Sequence, residues 1–170
     1  MQLVQCLGTV RTMTVTDAPA APRPRLDLVR PWPDGYRAMQ AFHRAVVDGP
    51  IDARLAHLLK LRASQLNGCA YCLDLHAREA RRDGEDQRRL DVLQAWREVH
   101  HFTDRERAAL ALTEAITLLG EDHVPDGVVE EAQRHFAPDE VAALVFTVVV
   151  INAWNRIAIT SRMPVPDATT

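Results

Sequence analysis

Lysine is almost missing from this chain. Lys60 is the only one, so the other 19 of its 20 positive charges are arginine, a bias that reads as codon composition rather than function. Against 23 acidic residues those charges leave a net −3, which removes any electrostatic reason to expect nucleic acid or an anionic membrane as a partner. Cysteine is scarce as well. Three thiols in 170 residues do not make a secreted disulfide scaffold, and a chain of this length can bury a core without staples. Aromatic residues amount to only 5%, which singles out Trp32, Trp96 and Trp154 as core or interface anchors. No apolar run approaches the roughly 20 residues that span a bilayer. Gln2, Gln5 and Arg11 break up the first apolar residues, which makes a poor signal peptide, and no apolar stretch precedes Cys6 to make a lipoprotein anchor of it. Internal repeats are absent too. The expected setting is the cytoplasm.

What is present suits one soluble globular domain, with 47% hydrophobic and 25% charged residues. Residues 1–25 carry Pro19, Pro22 and Pro24 among alanine and arginine and are expected to be a flexible extension, with Met13 an alternative start. Residues 26–165 form the expected domain. Pro31, Pro33 and Gly35 predict a turn before a helix from about Tyr36 to Val47, which Asp48-Gly49-Pro50 ends. Leu55, Leu58, Leu59, Leu61 and Leu66 then recur at helical spacing, and Asn67-Gly68 tolerates the left-handed geometry that closes a helix. A helix from about Cys69 to Arg82 follows, closed by Gly84, and a shorter one covers Gln87 to Trp96. Thr103-Asp-Arg-Glu106 is a capping box that opens a helix to Leu119. Pro125 and Pro138 start two more, to His135 and to about Ile159. The valine-rich stretch from Val141 to Ile151 has the composition of a buried strand, but its acidic first turn and its length favour a buried helix. The predicted fold class is all-α, a single-domain helical bundle.

The chemistry concentrates in Cys69-Ala-Tyr-Cys72-Leu-Asp-Leu-His76. A thiol reacts as its thiolate, and a helix N-terminus favours that anion through its unpaired amides and dipole. The Asn67-Gly68 break puts Cys69 at the cap and Cys72 in the first turn. His76 lies one turn beyond Cys72 on the same face, placed to accept its proton. Cys72 is then the attacking sulfur, and Cys69 is placed to convert a sulfenic acid on Cys72 into a disulfide. Tyr71 reads as a pocket wall, and Ser64 and Gln65 as hydrogen-bonding support for the turn before Cys69. Asn152, Asn155 and Arg156 interrupt an apolar helix and must tie it to neighbouring helices or to another subunit.

The string Lys60-Leu-Arg-Ala-Ser-Gln-Leu-Asn-Gly-Cys-Ala-Tyr-Cys72, with His76 after it, resembles the alkylhydroperoxidase D-like branch of the carboxymuconolactone decarboxylase superfamily. The likeness continues through Phe102-Thr-Asp-Arg-Glu-Arg-Ala-Ala-Leu110 and Asn152-Ala-Trp-Asn-Arg156, so it spans roughly residues 26 to 162. It implies an all-helical subunit assembled into trimers or hexamers, with no cofactor. It also implies reduction of alkyl hydroperoxides by the thiol pair, recharged by a dithiol such as a lipoyl adaptor or thioredoxin. In that family a glutamate on the preceding helix acts through the histidine on the second cysteine, and its position falls on His57 here. Histidine can pass protons near neutrality but supplies no fixed negative charge. Asp74 and Glu79 lie near the motif without occupying that position. The expectation is dithiol chemistry with a weakened proton relay.

Three other readings use the same residues. A general thiol–disulfide oxidoreductase or redox sensor keeps the thiol cycle without peroxide. A zinc-stabilised structural module would use Cys69, Cys72, His76 and His57 as ligands, although their spacing departs from usual zinc knuckles. Lactone decarboxylation fits less well, because that branch of the superfamily lacks the Cys-x-x-Cys pair. The His100-His101 pair reads as solvated and Cys6 as incidental.

Overall fold

The computed structural model describes residues 23–166. Most of the predicted extension, with Met13 and Cys6, lies outside the described residues. Among those residues there are seven α-helices and no strand: α1 (Pro33–Val47), α2 (Ala53–Asn67), α3 (Ala70–Arg82), α4 (Gln87–Val92), α5 (Asp104–Thr117), α6 (Asp126–His135) and α7 (Pro138–Ser161). A 3-10 segment, Leu93–Glu98, continues α4. The all-α prediction holds. Helix α2 packs against α3, α5 and α7, and α7 also contacts α1, α3, α5 and α6. Leu58, Leu59, Leu93, Leu110 and Leu144 are fully buried between these helices.

Local chemistry sets the boundaries. Asp52 caps α2 by accepting a hydrogen bond from the Leu55 amide at 3.1 Å. At the other end Gly68 takes φ 68°, the left-handed region. The Cys69 amide donates to the Ser64 carbonyl at 3.0 Å and the Gly68 amide to the Gln65 carbonyl at 3.3 Å. Those two bonds form a Schellman motif, so the residue that ends α2 hands the chain directly to the cap of α3. Thr103 and Glu106 close the predicted capping box of α5.

Three boundaries differ from the sequence expectation. Helix α1 starts at Pro33, not Tyr36, because proline fits the first helical turn, where its missing N–H has no partner to lose. The ring of Trp32 lies over Gly35, where a Cβ would come within 2.5 Å of it. Trp32 is nevertheless 71% exposed, so it is no core anchor. The Gln87–Trp96 piece breaks into α4 and the 3-10 segment, with non-helical Ala95 inside the latter. Helix α5 ends at Thr117, leaving Leu118 and Leu119 exposed.

Helix α7 corrects another expectation. Its 24 residues are long and apolar enough, by length and composition, to cross a membrane. Yet Asn152 and Asn155 sit inside it, and both are used. Asn155 is fully buried; its Nδ2 donates to Ser64 Oγ at 3.0 Å and its Oδ1 accepts from Asn67 Nδ2 at 2.8 Å. Asn152 Oδ1 accepts from the same Asn67 amide at 2.9 Å, and Asn152 Nδ2 donates to Thr117 Oγ1 at 3.0 Å. The asparagines thus tie α7 to the end of α2 and the end of α5, the first of the two fates predicted for them.

Unpaired buried polar atoms cost about 1–3 kcal/mol each. Asn155→Ala is therefore expected to lower unfolding stability by about 2 kcal/mol in urea titration. Trp32→Ala should change it by less than about 0.5 kcal/mol, as for other exposed positions.

Candidate active site

The Schellman turn positions the thiols. Cys69 is the cap residue of α3 and Cys72 lies in its first turn, with the two sulfurs 2.6 Å apart and both side chains buried. Both are free thiols in hydrogen-bond contact. The Cys69 thiol is lowered from an ordinary 9.0 to about 7, first by the hydrogen bond from Cys72, with smaller help from the Cys72 backbone amide and Asn155, while burial opposes. Cys72 is pushed up, first by its hydrogen bond with Cys69 and then by burial. The two thiols are thus shifted in opposite directions, an asymmetry the sequence did not disclose.

Cys72, but not Cys69, lines a cavity of about 260 Å³ whose walls include Tyr36, Tyr71, His76, Trp154 and Met163. Tyr36 meets Trp154 edge-on at 5.6 Å, and His43 meets the same indole at 6.2 Å. Tyr71 is the predicted wall. Burial first, then the charge of Cys72, raises its phenol, so it stays protonated at neutral pH. Trp154 is a cavity wall as well, and Trp96 alone of the tryptophans is a core anchor, its Nε1 donating to Glu114 at 2.8 Å.

Behind His76 the structure departs from the expectation. His76 Nδ1 donates to Glu79 Oε2 at 2.7 Å, and the same oxygen lies 3.8 Å from His57 Nδ1. His57 Nε2 in turn pairs with Asp83 Oδ2 at 2.9 Å. The two imidazole centroids are 6.3 Å apart. A carboxylate therefore does stand behind His76, but it comes from α3 itself, one turn past the histidine. Glu79 is held below the usual carboxylate range, first by its hydrogen bond to His76 and against its own desolvation. His76 is lowered, first by burial, with Glu79 pulling the other way, which keeps its ring neutral at pH 7. With Nδ1–H committed to Glu79, the lone pair is left on Nε2.

All four predicted site residues fall in one region. Cys69 touches Cys72, Cys72 and His76 share the cavity, and His57 reaches His76 through Glu79. They do not gather as the four-ligand zinc clip. The metal-capable cluster among the described residues is His57, His76 and Glu79, with neither sulfur. The His100 and His101 rings lie tilted against each other, with centroids 4.8 Å apart. Ser64 and Gln65 support the turn, though through their backbone carbonyls.

Comparison with known proteins fixes the lineage. The carboxymuconolactone decarboxylase family model matches residues 33–115. The uncharacterised protein YdfG of Bacillus subtilis is 37% identical over 127 residues, covering 75% of this chain and 86% of its own. The chain belongs to the carboxymuconolactone decarboxylase family. Its alkylhydroperoxidase D-like fold is shared with a protein of unknown function from Agrobacterium tumefaciens, a candidate antioxidant defence protein AhpD. That match has 35% identity and a TM-score of 0.81 over 85% of this chain and 99% of the other. The debrominase Bmp8 has the same fold at 18% identity and a TM-score of 0.74, over 82% and 75% of the two chains. So does a peroxidase-related protein from Ralstonia eutropha, at 22% identity and a TM-score of 0.70, over 82% and 74%.

For this family member, sequence reasoning missed Glu79, Asp83 and the contact of Asn155 with the thiols. The first had a signal. Positions three apart face each other on a helix, and Glu79 follows His76 by three. The lowered Cys69 thiol gives a direct test. Thiolate absorbance of the reduced protein should titrate with a midpoint near 7, from Cys69. In Cys72→Ala the donor is gone, and that midpoint should climb by about one unit or more toward an ordinary thiol value of about 8.5.

Proposed function

We propose that this chain is a thiol-dependent peroxidase that reduces small alkyl hydroperoxides through a Cys69–Cys72 dithiol/disulfide cycle. The observation that carries the reading is the sulfur pair at 2.6 Å at the end of a mainly aromatic and aliphatic cavity, with a carboxylate-backed histidine beside it. The lineage supports an enzyme of peroxidase-related type, but the same fold serves a debrominase, so the activity rests on the site rather than the scaffold.

The cavity opens on Cys72, so that sulfur is the one a hydroperoxide reaches. His76 Nε2 is the free acceptor in the cavity and takes up the Cys72 proton. The Cys72 thiolate attacks the hydroperoxide oxygen, the O–O bond breaks, and the alkoxide leaves with a proton from His76 as the alcohol. Cys72 is then a sulfenic acid. Cys69, the more acidic thiol, then attacks it: the S–S bond forms as the S–O bond breaks, and the hydroxide leaves with the Cys69 proton as water. An external dithiol restores the pair by exchange. Both sulfurs are at most 3% exposed, which favours a slender reductant such as a lipoyl arm over a protein face. Glu79 serves as a positioning residue, orienting His76 and stabilising its protonated form, and His57 and Asp83 extend the proton path toward the surface.

A thiol–disulfide oxidoreductase acting on proteins is the second reading, and the burial of both thiols speaks against it. A homo-oligomer also fits: Phe146 and Val149 on α7, and Leu118 and Leu119 beyond α5, are exposed apolar residues of the kind an interface covers.

The test is consumption of an alkyl hydroperoxide by reduced protein with a dithiol. Cys72→Ser should abolish it. Glu79→Gln keeps the shape but removes the charge behind His76, and kcat/KM should fall about 10- to 100-fold. Because burial holds His76 below its ordinary 6.5, its protonation should not limit the rate above that pH. The acid limb should instead follow the thiol pair near 7. Full activity in Cys72→Ser would sink the peroxidase mechanism.

A further inference from the structure

The proton path gives His57 a place in the peroxidase cycle but leaves its inner nitrogen unexplained. Its side chain is 8% exposed, and its Nδ1 is buried with no hydrogen-bond partner. Asp83 Oδ2 sits 2.9 Å from Nε2 and accepts the N–H there. The unshared pair is thereby turned inward on Nδ1. What it meets is Glu79 Oε2 at 3.8 Å, a carboxylate oxygen. A lone pair aimed at an anion is an arrangement that a cation between them would satisfy. His76 Nδ1 is the third group: it lies 2.7 Å from the same oxygen, and the three ligand atoms all fall within 4.8 Å of one another.

We infer that His57 Nδ1, His76 Nδ1 and Glu79 Oε2 form a binding site for a divalent zinc-class cation, which when filled switches the thiol pair off. The donor set of two imidazoles and one carboxylate suits zinc, whose ligands sit at about 2.0–2.2 Å. Asp83 supplies the outer carboxylate that commonly fixes the tautomer of a metal-bound histidine. A second cavity, of about 240 Å³, borders His57, Glu79 and Asp83 on the side away from Cys72 and leaves room for a water as fourth ligand. Lys60, His43 and Arg82 line that cavity too. The positive charges of Lys60 and Arg82 are offset there by Glu79 and Asp83, and His43 is held neutral by burial first and by Lys60 next.

Occupancy changes the chemistry at His76. A metal on Nδ1 displaces the hydrogen that now goes to Glu79, and a neutral imidazole then carries its one hydrogen on Nε2. Nε2 becomes a donor in the thiol cavity and can no longer take the Cys72 proton. No covalent or redox step is involved; the cation competes with a proton for one nitrogen. The inhibitory half of this inference rests on His76 acting as the thiol base, whereas the metal site itself does not.

The experiment uses the full chain with Cys69 and Cys72 oxidised to their disulfide, so that sulfur cannot ligate. Zinc and cobalt(II) are titrated in by calorimetry and visible absorption. One equivalent is expected, without a sulfur-to-cobalt charge-transfer band. Affinity should fall about tenfold or more in Glu79→Gln and in His57→Gln. It should weaken by a similar factor in Asp83→Asn, whose side chain is partly solvent-exposed and which removes only the outer carboxylate. In reduced wild-type protein the same zinc concentration should suppress peroxide turnover and slow thiol alkylation. Absence of saturable binding to the oxidised protein, or binding indifferent to Glu79 and Asp83, would overturn the site. Binding to the oxidised protein with alkylation of the reduced thiols unchanged would overturn the switch alone. Binding with slowed alkylation but no peroxide turnover at any metal concentration would instead discard the peroxidase reading.

Discussion

One buried side chain holds the site together. Asn155 is fully enclosed in α7, the most apolar helix of the protein, and its amide is spent on the last turn of α2 and on the thiol pair. Burying an amide without partners would cost more than the helix could easily offset, so its partners have to be where they are. Those partners, Ser64 and Asn67, belong to the turn that ends α2 and presents Cys69. The register of α7 against α2, the position of the left-handed Gly68 and the placing of both sulfurs are therefore one constraint, not three. A shift of α7 by a single residue would carry Asn155 away from Ser64 and leave polar atoms of both orphaned.

The same constraint explains why the thiols are paired rather than separate. A cap residue followed by a first-turn residue brings the sulfurs together on the end of α3. With both buried, two thiolates would repel in a medium that screens poorly, and two neutral thiols would waste the amides and dipole of the helix start. The pair answers with opposite shifts, Cys69 down and Cys72 up. Cys72 faces the cavity walled by Tyr36 and Trp154, and Cys69 borders another beside Met163.

Much of this was legible before any coordinates. The capping box at Thr103, the stop at Asn67-Gly68 and the leucine spacing of α2 are local rules, and local rules survive folding. The valine-rich stretch of α7 was resolved correctly by its acidic start, because an N-terminal carboxylate favours a helix and means little to a strand. The misses are non-local or ambiguous. Proline marks both turns and helix starts, so Pro33 did not fix the start of α1. Trp32 has a core residue's composition and a surface residue's place, since its ring finds Gly35 instead of the interior. The opposite shifts of Cys69 and Cys72 depend on a distance, which no spacing supplies.

Glu79 is the most instructive of these. Counting positions along a family pattern identifies a column and shows that it holds His57, which suggests a loss. Geometry asks a different question, namely which oxygen can reach His76 Nδ1. A helix offers two answers: a residue on the facing helix α2 or one a turn away on α3 itself, and here the second is filled. Once the carboxylate comes from α3, another at position 57 would join Glu79 and Asp83 as a third like charge in a half-buried space that Lys60 and Arg82 already balance. A histidine there faces the carboxylate without that repulsion and adds a second acceptor behind the first. The charge at position 57 and the carboxylate of Glu79 are thus one electrostatic question: a histidine on α2 suits the carboxylate that α3 supplies.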